Sequence, residues 1–298
     1  MLLFRRGFST IRPRRSVLYL PGSNARALGK ARTLGADCLI LDCEDAVSPG
    51  SKEVARQQVV GALRSGGYGN TELVARVNGL DTQWGEADVA ALAPASAHAI
   101  LLPKVESVES VERLSALVEA ACSAAAVPPP DLWCLIETPL GVLRAAEIAA
   151  HPRVACLVMG TADLSAELRV GDEPGRAPLL TSLSCVVLAA RAYGTAAIDG
   201  VCMRYKDVVA CERHYAQGRS LGFDGATLIH PMNIAAANAA FGPAPADVDH
   251  ARRVIEAYTA AAAEGSALAV LDDTLIEELH VRAARRVLKL ANAVEERG

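Results

Sequence analysis

Glu137 and Asp163 are the two carboxylates best placed to do chemistry. Each closely follows an apolar run, Leu132–Ile136 and Val154–Met159. If those runs are neighbouring strands, the carboxylates meet in space. Mg²⁺ takes oxygen ligands and is often held by one or two carboxylates, with substrate and water completing its shell. A metal-free acid/base pair is the alternative. Helices expected at Leu140–Gly141 and after Leu164 would offer free amides to a small carboxylate or oxyanion. Arg76, after the run Leu73–Ala75, presents a planar fork that suits a carboxylate or a polarised carbonyl.

The ends of the other runs are polar as well. They carry Pro21-Gly22-Ser23-Asn24, then Asp42, Glu44 and Asp45, Asn78, Lys104 and Glu106, Asp199, and His230. A purely structural protein has no need of such a ring. For Asp42, Lys104 and Asp199 the plain alternative is loop polarity and ion pairs that close the fold. A Schiff-base aldolase needs a buried lysine. Lys104 is the candidate, and nearby Glu106 and Glu137 favour a charged, paired lysine instead. His230 precedes Pro231 and reads as a loop-fixing residue.

These side chains need a scaffold that gathers strand ends. Eight short apolar runs recur: Val17–Leu20, Cys38–Leu41, Leu73–Ala75, Ala99–Leu102, Leu132–Ile136, Val154–Met159, Ala196–Ile198 and Ala226–Ile229. They do not alternate with polar residues, as expected of strands buried on both faces. Helical patterns lie between them, at Ala25–Leu34, Lys52–Leu63 capped by Ser51, Val108–Ala121 opened by Ser107, Gly141–Ala150, Leu180–Tyr193 and Val208–Leu221. Alternation of this kind builds βαβ units. Eight units predict an α/β fold, a TIM (β/α)8 barrel over residues 16–245, with an open doubly wound sheet as runner-up. Residues 246–298 are expected to add a helical extension, Asp247–Ala263 and Thr274–Ala293, joined by Glu264–Asp273.

The chain has 298 residues, 51% of them apolar and 21% charged, which excludes disorder. A net charge of -4 supplies no basic field for nucleic acid. No apolar run approaches the roughly 18–20 residues needed to cross a bilayer. The eight cysteines form no C-x-x-C pair and read as reduced core residues. Residues 1–15 hold five arginines, and the first acid is Asp37. That opening reads as a mitochondrial presequence, with a solvated tail on a cytoplasmic protein as the alternative. No phosphate-binding glycine loop and no G-x-S-x-G elbow is present.

Several stretches resemble the citrate lyase β-subunit-like branch of the HpcH/HpaI aldolase family. They are Arg15-Ser-Val-Leu-Tyr-Leu-Pro-Gly-Ser-Asn24, Leu41-Asp-Cys-Glu-Asp-Ala-Val47, Arg76-Val-Asn-Gly79, Leu102-Pro-Lys-Val-Glu-Ser107, Ile136-Glu-Thr-Pro139 with Gly141, Gly160-Thr-Ala-Asp-Leu164 and Ile229-His-Pro231. They stand in family order over residues 15 to 290. Within the branch the likeness is greatest to the mitochondrial citramalyl-CoA lyase type.

The resemblance implies Mg²⁺ held by Glu137 and Asp163, and carbon–carbon bond chemistry beside a CoA thioester. It implies Arg76 on the keto acid or thioester carbonyl, with Pro21, Gly22, Glu137 and Gly141 lining the substrate pocket. Glu44 and Asp45 would orient metal-bound water or Arg76. It also implies a homotrimer whose C-terminal lid closes over a neighbouring subunit. The family's lid acid is an Asp, and the aligned triplet here is Leu275-Ile276-Glu277, so Glu277 would be the acid/base. Family His-Pro-Ser-Gln is His230-Pro231-Met232-Asn233 here. Arg26 and Lys30, one turn apart, are candidates for the CoA phosphates.

The implied reaction is reverse Claisen cleavage of a 3-hydroxyacyl-CoA, malyl-CoA or citramalyl-CoA, to an α-keto acid and acetyl-CoA. The rivals are an aldolase for free hydroxy-keto acids, a malyl-CoA thioesterase and a citrate lyase β-type subunit of a larger complex. One methyl in a pocket is worth only about 1–3 kcal/mol, so the residues do not choose among the acyl groups.

Overall fold

The computed structural model describes residues 12–171 and 173–297. Most of the proposed presequence lies outside them. Two compact units are present, Arg14–Ala240 and the segment from Phe241 onward.

The first unit is a closed barrel of parallel strands in the order β1 to β8. The strands are β1 (Ser16–Pro21), β2 (Cys38–Asp42), β3 (Glu72–Arg76), β4 (Ala99–Leu102), β5 (Asp131–Ile136), β6 (Val154–Met159), β7 (Ala196–Asp199) and β8 (Gly225–Leu228). Closure comes from pairing Val17 with Thr227 across β1 and β8. All eight predicted runs are strands, and the open sheet is ruled out. Inward side chains such as Ile40, Leu101, Trp133, Val158 and Ile198 fill the interior. The barrel is therefore packed, and function must sit at its rim.

Ion pairs close the far end. Arg14 bonds Glu72 through Nε (2.6 Å) and Nη2 (2.8 Å), and Arg15 bonds Asp37 through Nε (2.8 Å) and Nη2 (2.9 Å). Two of the five opening arginines are thus members of the barrel.

The intervening helices are α1 (Ala25–Lys30), α2 (Lys52–Ser65), α3 (Gly85–Leu92), α4 (Val108–Ala124), α5 (Pro139–Leu143), α6 (Ala145–Ala150), α7 (Thr161–Leu168), α8 (Leu180–Tyr193), α9 (Val208–Leu221) and α10 (Ile234–Phe241). Several expectations need correction. The helix expected to Leu34 ends its α-turns at Lys30 and tightens into a 3₁₀ turn over Ala31–Thr33. Ser51 stands at the N-cap of α2, but its side chain caps no amide; Ser48 Oγ donates to it instead (3.1 Å). The helix expected over Gly141–Ala150 breaks at Arg144 into α5 and α6. Ser107 caps α4 as expected, accepting from Ser110 N.

The second unit holds α11 (Pro245–Ala263), a hairpin of β9 (Ala269–Leu271) and β10 (Thr274–Ile276), and α12 (Glu278–Glu295). A single helix from Thr274 was expected, and the hairpin replaces its start. Asp272 and Asp273 both have positive φ (49° and 59°), which is what a two-residue type I′ turn demands. Val254, Ile276, Val281 and Ala284 form this unit's core.

The eight cysteines are all free, and among them Cys185 is exposed while the rest are buried. Among the described residues, no helix is long and apolar enough to cross a membrane.

Candidate active site

β2 and β3 end side by side, with Asp42 in register with Arg76. There Arg76 Nε donates to Asp42 Oδ1 (2.7 Å) and Nη2 to Oδ2 (2.6 Å). Nη1 reaches Glu44 Oε2 at 2.9 Å and Asp45 Oδ2 at 3.3 Å. The guanidinium lies 4.8 Å over the ring of Tyr19 on β1. Asp42 is itself held by the N–H groups of Glu44 (2.8 Å) and Ala46 (3.0 Å).

The fork that the sequence offered to a ligand is therefore taken by Asp42. Burial acts to lower the Arg76 pKa, but Asp42, Tyr19 and Glu44 raise it well above the usual value. Arg76 stays charged. Burial pushes the Glu44 carboxyl up to about 7, against the pull of Arg76 and with the help of Asp45.

Glu137, at the end of β5, is only 2% exposed. Two backbone features seat it. After β4 the chain bends at Lys104, whose φ is +50°. Its N–H leaves the sheet ladder and donates to Glu137 Oε1 (2.8 Å); Val105 N then rejoins the ladder at Leu135 O (3.2 Å). On the other side, a Cβ at Gly160 would collide with Glu137 Cβ and Oε2. Burial raises the Glu137 pKa to about 8; the Lys104 N–H opposes this, and Asp163 and Glu44 add to it.

Asp163 is half-buried in the first turn of α7. α7 was expected to begin after Leu164, but it begins at Thr161, so Asp163 projects from the helix itself. Glu44, Arg76, Glu137 and Asp163 all stand at or just after the C-terminal ends of β2, β3, β5 and β6, on one rim of the barrel.

Lys104 is exposed. Its partial burial lowers its pKa, yet Glu44, Glu137, Asp163 and Asp45 together raise it. A permanently charged ammonium is unsuited to Schiff-base chemistry.

Other sequence candidates are placed as follows. Gly22 allows β1 and β2 to approach: its N–H donates to Asp42 O (2.7 Å), and a Cβ would lie 2.6 Å from that oxygen. Pro21 pairs with Asp42 beside it. Gly141 is not a free amide donor, because its N–H bonds Thr138 Oγ1 (3.0 Å), and a Cβ there would lie 2.6 Å from Val105 O. Arg26 and Lys30 are exposed on α1. Asp199 is fully buried and accepts from Arg176 Nη1 (2.8 Å) and Gly200 N (2.7 Å), the fold-closing reading. His230 Nδ1 accepts from Met232 N (3.2 Å), and its ring stacks on Tyr205, which fits loop fixing. Glu277 is half-buried at the N-cap of α12 in the second unit, its N–H donating to His280 Nδ1 (3.0 Å).

The residues suit a hard divalent cation. Glu137 and Asp163 offer carboxylate oxygens and no thiol or imidazole. A buried carboxylate that resists ionisation gains from a neighbouring cation. Among the described residues no cluster of three His, Cys, Asp or Glu side chains could hold a metal, so two carboxylates would leave the other positions to water and substrate, as Mg²⁺ prefers.

Sequence reasoning missed Gly160, Tyr19 and the full part played by Lys104. The glycine was visible only as a motif letter, and Tyr19 was concealed inside an apolar run.

The chain is similar to known proteins over most of its length. It is 45% identical over 282 residues, 95% of this chain and 96% of the relative, to the (3S)-malyl-CoA thioesterase of Cereibacter sphaeroides strain KD131. It is 35% identical over 284 residues, 94% of each chain, to citrate lyase subunit beta of Escherichia coli K12. The crystal structure of CitE from Mycobacterium tuberculosis in complex with magnesium, acetoacetate and coenzyme A matches with a TM-score of 0.74 at 27% identity, over 93% of this chain and 97% of that one. A citrate lyase structure from Burkholderia xenovorans LB400 has a TM-score of 0.82 at 23% identity and supports the fold alone. Residues 15–231 match the HpcH/HpaI aldolase/citrate lyase family, and the chain belongs to that family.

Proposed function

We propose that this protein is a Mg²⁺-dependent carbon–carbon lyase acting on a 3-hydroxyacyl-CoA of the malyl-CoA or citramalyl-CoA class. The observation that carries this reading is the seat of Glu137, clamped by the Lys104 N–H and Gly160 within the field of Asp163. The magnesium and coenzyme A bound by the CitE relative support it.

Glu137 and Asp163 would hold the metal. When bound, Mg²⁺ supplies Lewis-acid polarisation of the substrate's oxygens. The chain's own residues do the rest. The substrate hydroxyl gives up its proton to solvent water, the carbon–carbon bond breaks with its electron pair passing to the thioester, and an α-keto acid leaves an acetyl-CoA enolate behind. Arg76, charged at every working pH, stabilises that negative charge through its field and the one Nη2 hydrogen that Asp42 does not take, since Nη1 serves Glu44 and Asp45. Glu277 gives the proton that turns the enolate into acetyl-CoA. Pro21 and Gly22 shape the rim, and Arg26 and Lys30 face the CoA phosphates. The lid would close over a neighbouring subunit of a homotrimer, which size-exclusion chromatography tests. The basic opening supports a mitochondrial address, which a fluorescent fusion of residues 1–15 tests.

A second reading is hydrolysis of the malyl-CoA thioester. It is favoured by the 45% identity to proteins of that name. Water would attack the thioester carbonyl, the C–S bond would break, and CoA would leave as thiol. Product analysis separates the two: glyoxylate and acetyl-CoA from malyl-CoA, or pyruvate and acetyl-CoA from citramalyl-CoA, against a free hydroxy acid and CoA.

A further inference from the structure

Lys104 keeps a left-handed backbone (φ +50°), which is unfavourable for an ordinary L-residue and which Gly or Asn tolerates more easily. The bend turns its N–H onto Glu137 and leaves its side chain exposed at the rim. Neighbouring cations are committed elsewhere. Arg76 is bound to Asp42, Glu44 and Asp45, and Lys52 to the carbonyls of Cys43 and Glu44. Among the described residues none bonds the Lys104 ammonium, although Glu44, Glu137, Asp163 and Asp45 all lie in its field.

This arrangement creates a problem for any anionic substrate. Four carboxylates stand close enough to act on Lys104, and the fork of Arg76 is already occupied by Asp42. A short acid approaching Glu137 and Asp163 needs a cation that can move to meet it. A lysine head on a flexible stem can do that, as a point charge with three donors.

We propose that Lys104 is a substrate-binding residue: its ammonium takes a carboxylate oxygen of the short acid held at Glu137 and Asp163, while its backbone N–H fixes Glu137. This rests on the reading that those two residues hold Mg²⁺. The side-chain and backbone roles are separable, because Asn can keep the left-handed conformation without the charge.

The test is calorimetry on the full chain, with Mg²⁺ alone and then with pyruvate at saturating Mg²⁺. Lys104→Asn should weaken pyruvate by about tenfold or more, the loss of one charge-assisted hydrogen bond, without weakening Mg²⁺. Lys104→Arg should recover part of the affinity. Unchanged pyruvate affinity in Lys104→Asn overturns the assignment. So does a parallel loss of Mg²⁺ and pyruvate, which would show that the residue acts only by seating Glu137. Turnover of malyl-CoA and citramalyl-CoA by the wild type is measured alongside. A wild type that binds Mg²⁺ and pyruvate yet consumes no acyl-CoA overturns the substrate reading, while the Lys104 assignment is judged on the binding data. A wild type that binds no pyruvate with Mg²⁺ overturns both.

Discussion

Arg76 and Asp42 form a buried, bidentate ion pair between adjacent strand ends, Nε on Oδ1 at 2.7 Å and Nη2 on Oδ2 at 2.6 Å. Removing one partner of such a pair strands the other charge, at a cost of about 3–5 kcal/mol. Asp42→Asn should therefore lower the unfolding free energy by an amount approaching that range. Lys in place of Arg76 keeps the charge and loses the fork. Arg76→Lys should lose at least roughly tenfold in kcat/KM, or about 1.4 kcal/mol. Denaturant melts and steady-state kinetics check the two arms. Activity within about twofold of wild type for Arg76→Lys contradicts a role in turnover.

Glu137 makes the metal-free protein pH-sensitive. Its carboxyl is raised from the ordinary 4.5 to about 8, chiefly by burial. In that window the native state binds more protons than the unfolded state, so this group's contribution to stability falls as pH rises. The metal-free protein should lose thermal stability across the window, and Mg²⁺ should restore more at its upper end than at its lower end. Glu137→Gln should flatten both trends. A Mg²⁺-induced shift in Tm that stays the same at both ends, or that survives in Glu137→Gln, counts against Glu137 as a ligand.

Gly160 provides a test that leaves every carboxylate in place. A methyl at this position would collide with Glu137 Cβ and Oε2, so Gly160→Ala must displace the carboxyl. Losing a residue that orients a metal ligand typically costs about 10–100-fold in metal affinity. Calorimetric Mg²⁺ titration of Gly160→Ala should show a loss in that range. Wild-type affinity in a folded variant would mean that the seat of Glu137 does not govern metal binding.

Most of the barrel could be read from the chain because strands buried on both faces leave continuous apolar runs. The hairpin of β9 and β10 escaped because its turn is Asp272-Asp273 rather than a glycine pair, and its strands have only three residues each. The bond from Arg76 to Asp42 escaped for another reason. It joins residues 34 apart in sequence, and nothing local distinguishes a ligand-binding Arg from one already paired. Lys104 was visible as a lone cation among acids, but its left-handed backbone was not, because Lys carries no signal for that conformation.

Glu277 stands at the N-cap of α12, where a carboxylate is favoured by the helix dipole alone. The proposed proton transfer asks more of it. Glu277→Gln should abolish turnover, whereas Glu277→Asp, shorter by one methylene, should retain it. Chain misplacement of about 1 Å can cost around a hundredfold, so the Asp variant also shows whether the lid is fitted to Glu. An active Gln variant moves the role to Asp272 or Asp273.

Under the proposed function, Glu137 and Asp163 together hold Mg²⁺ for chemistry on a hydroxyacyl-CoA. The most direct measurement follows keto acid released from malyl-CoA and citramalyl-CoA by the wild type, Glu137→Ala and Asp163→Ala, each with Mg²⁺ and with EDTA. The wild type should release α-keto acid and acetyl-CoA with Mg²⁺ only, and neither folded variant should release any. Full activity in EDTA, or in Glu137→Ala, would contradict this.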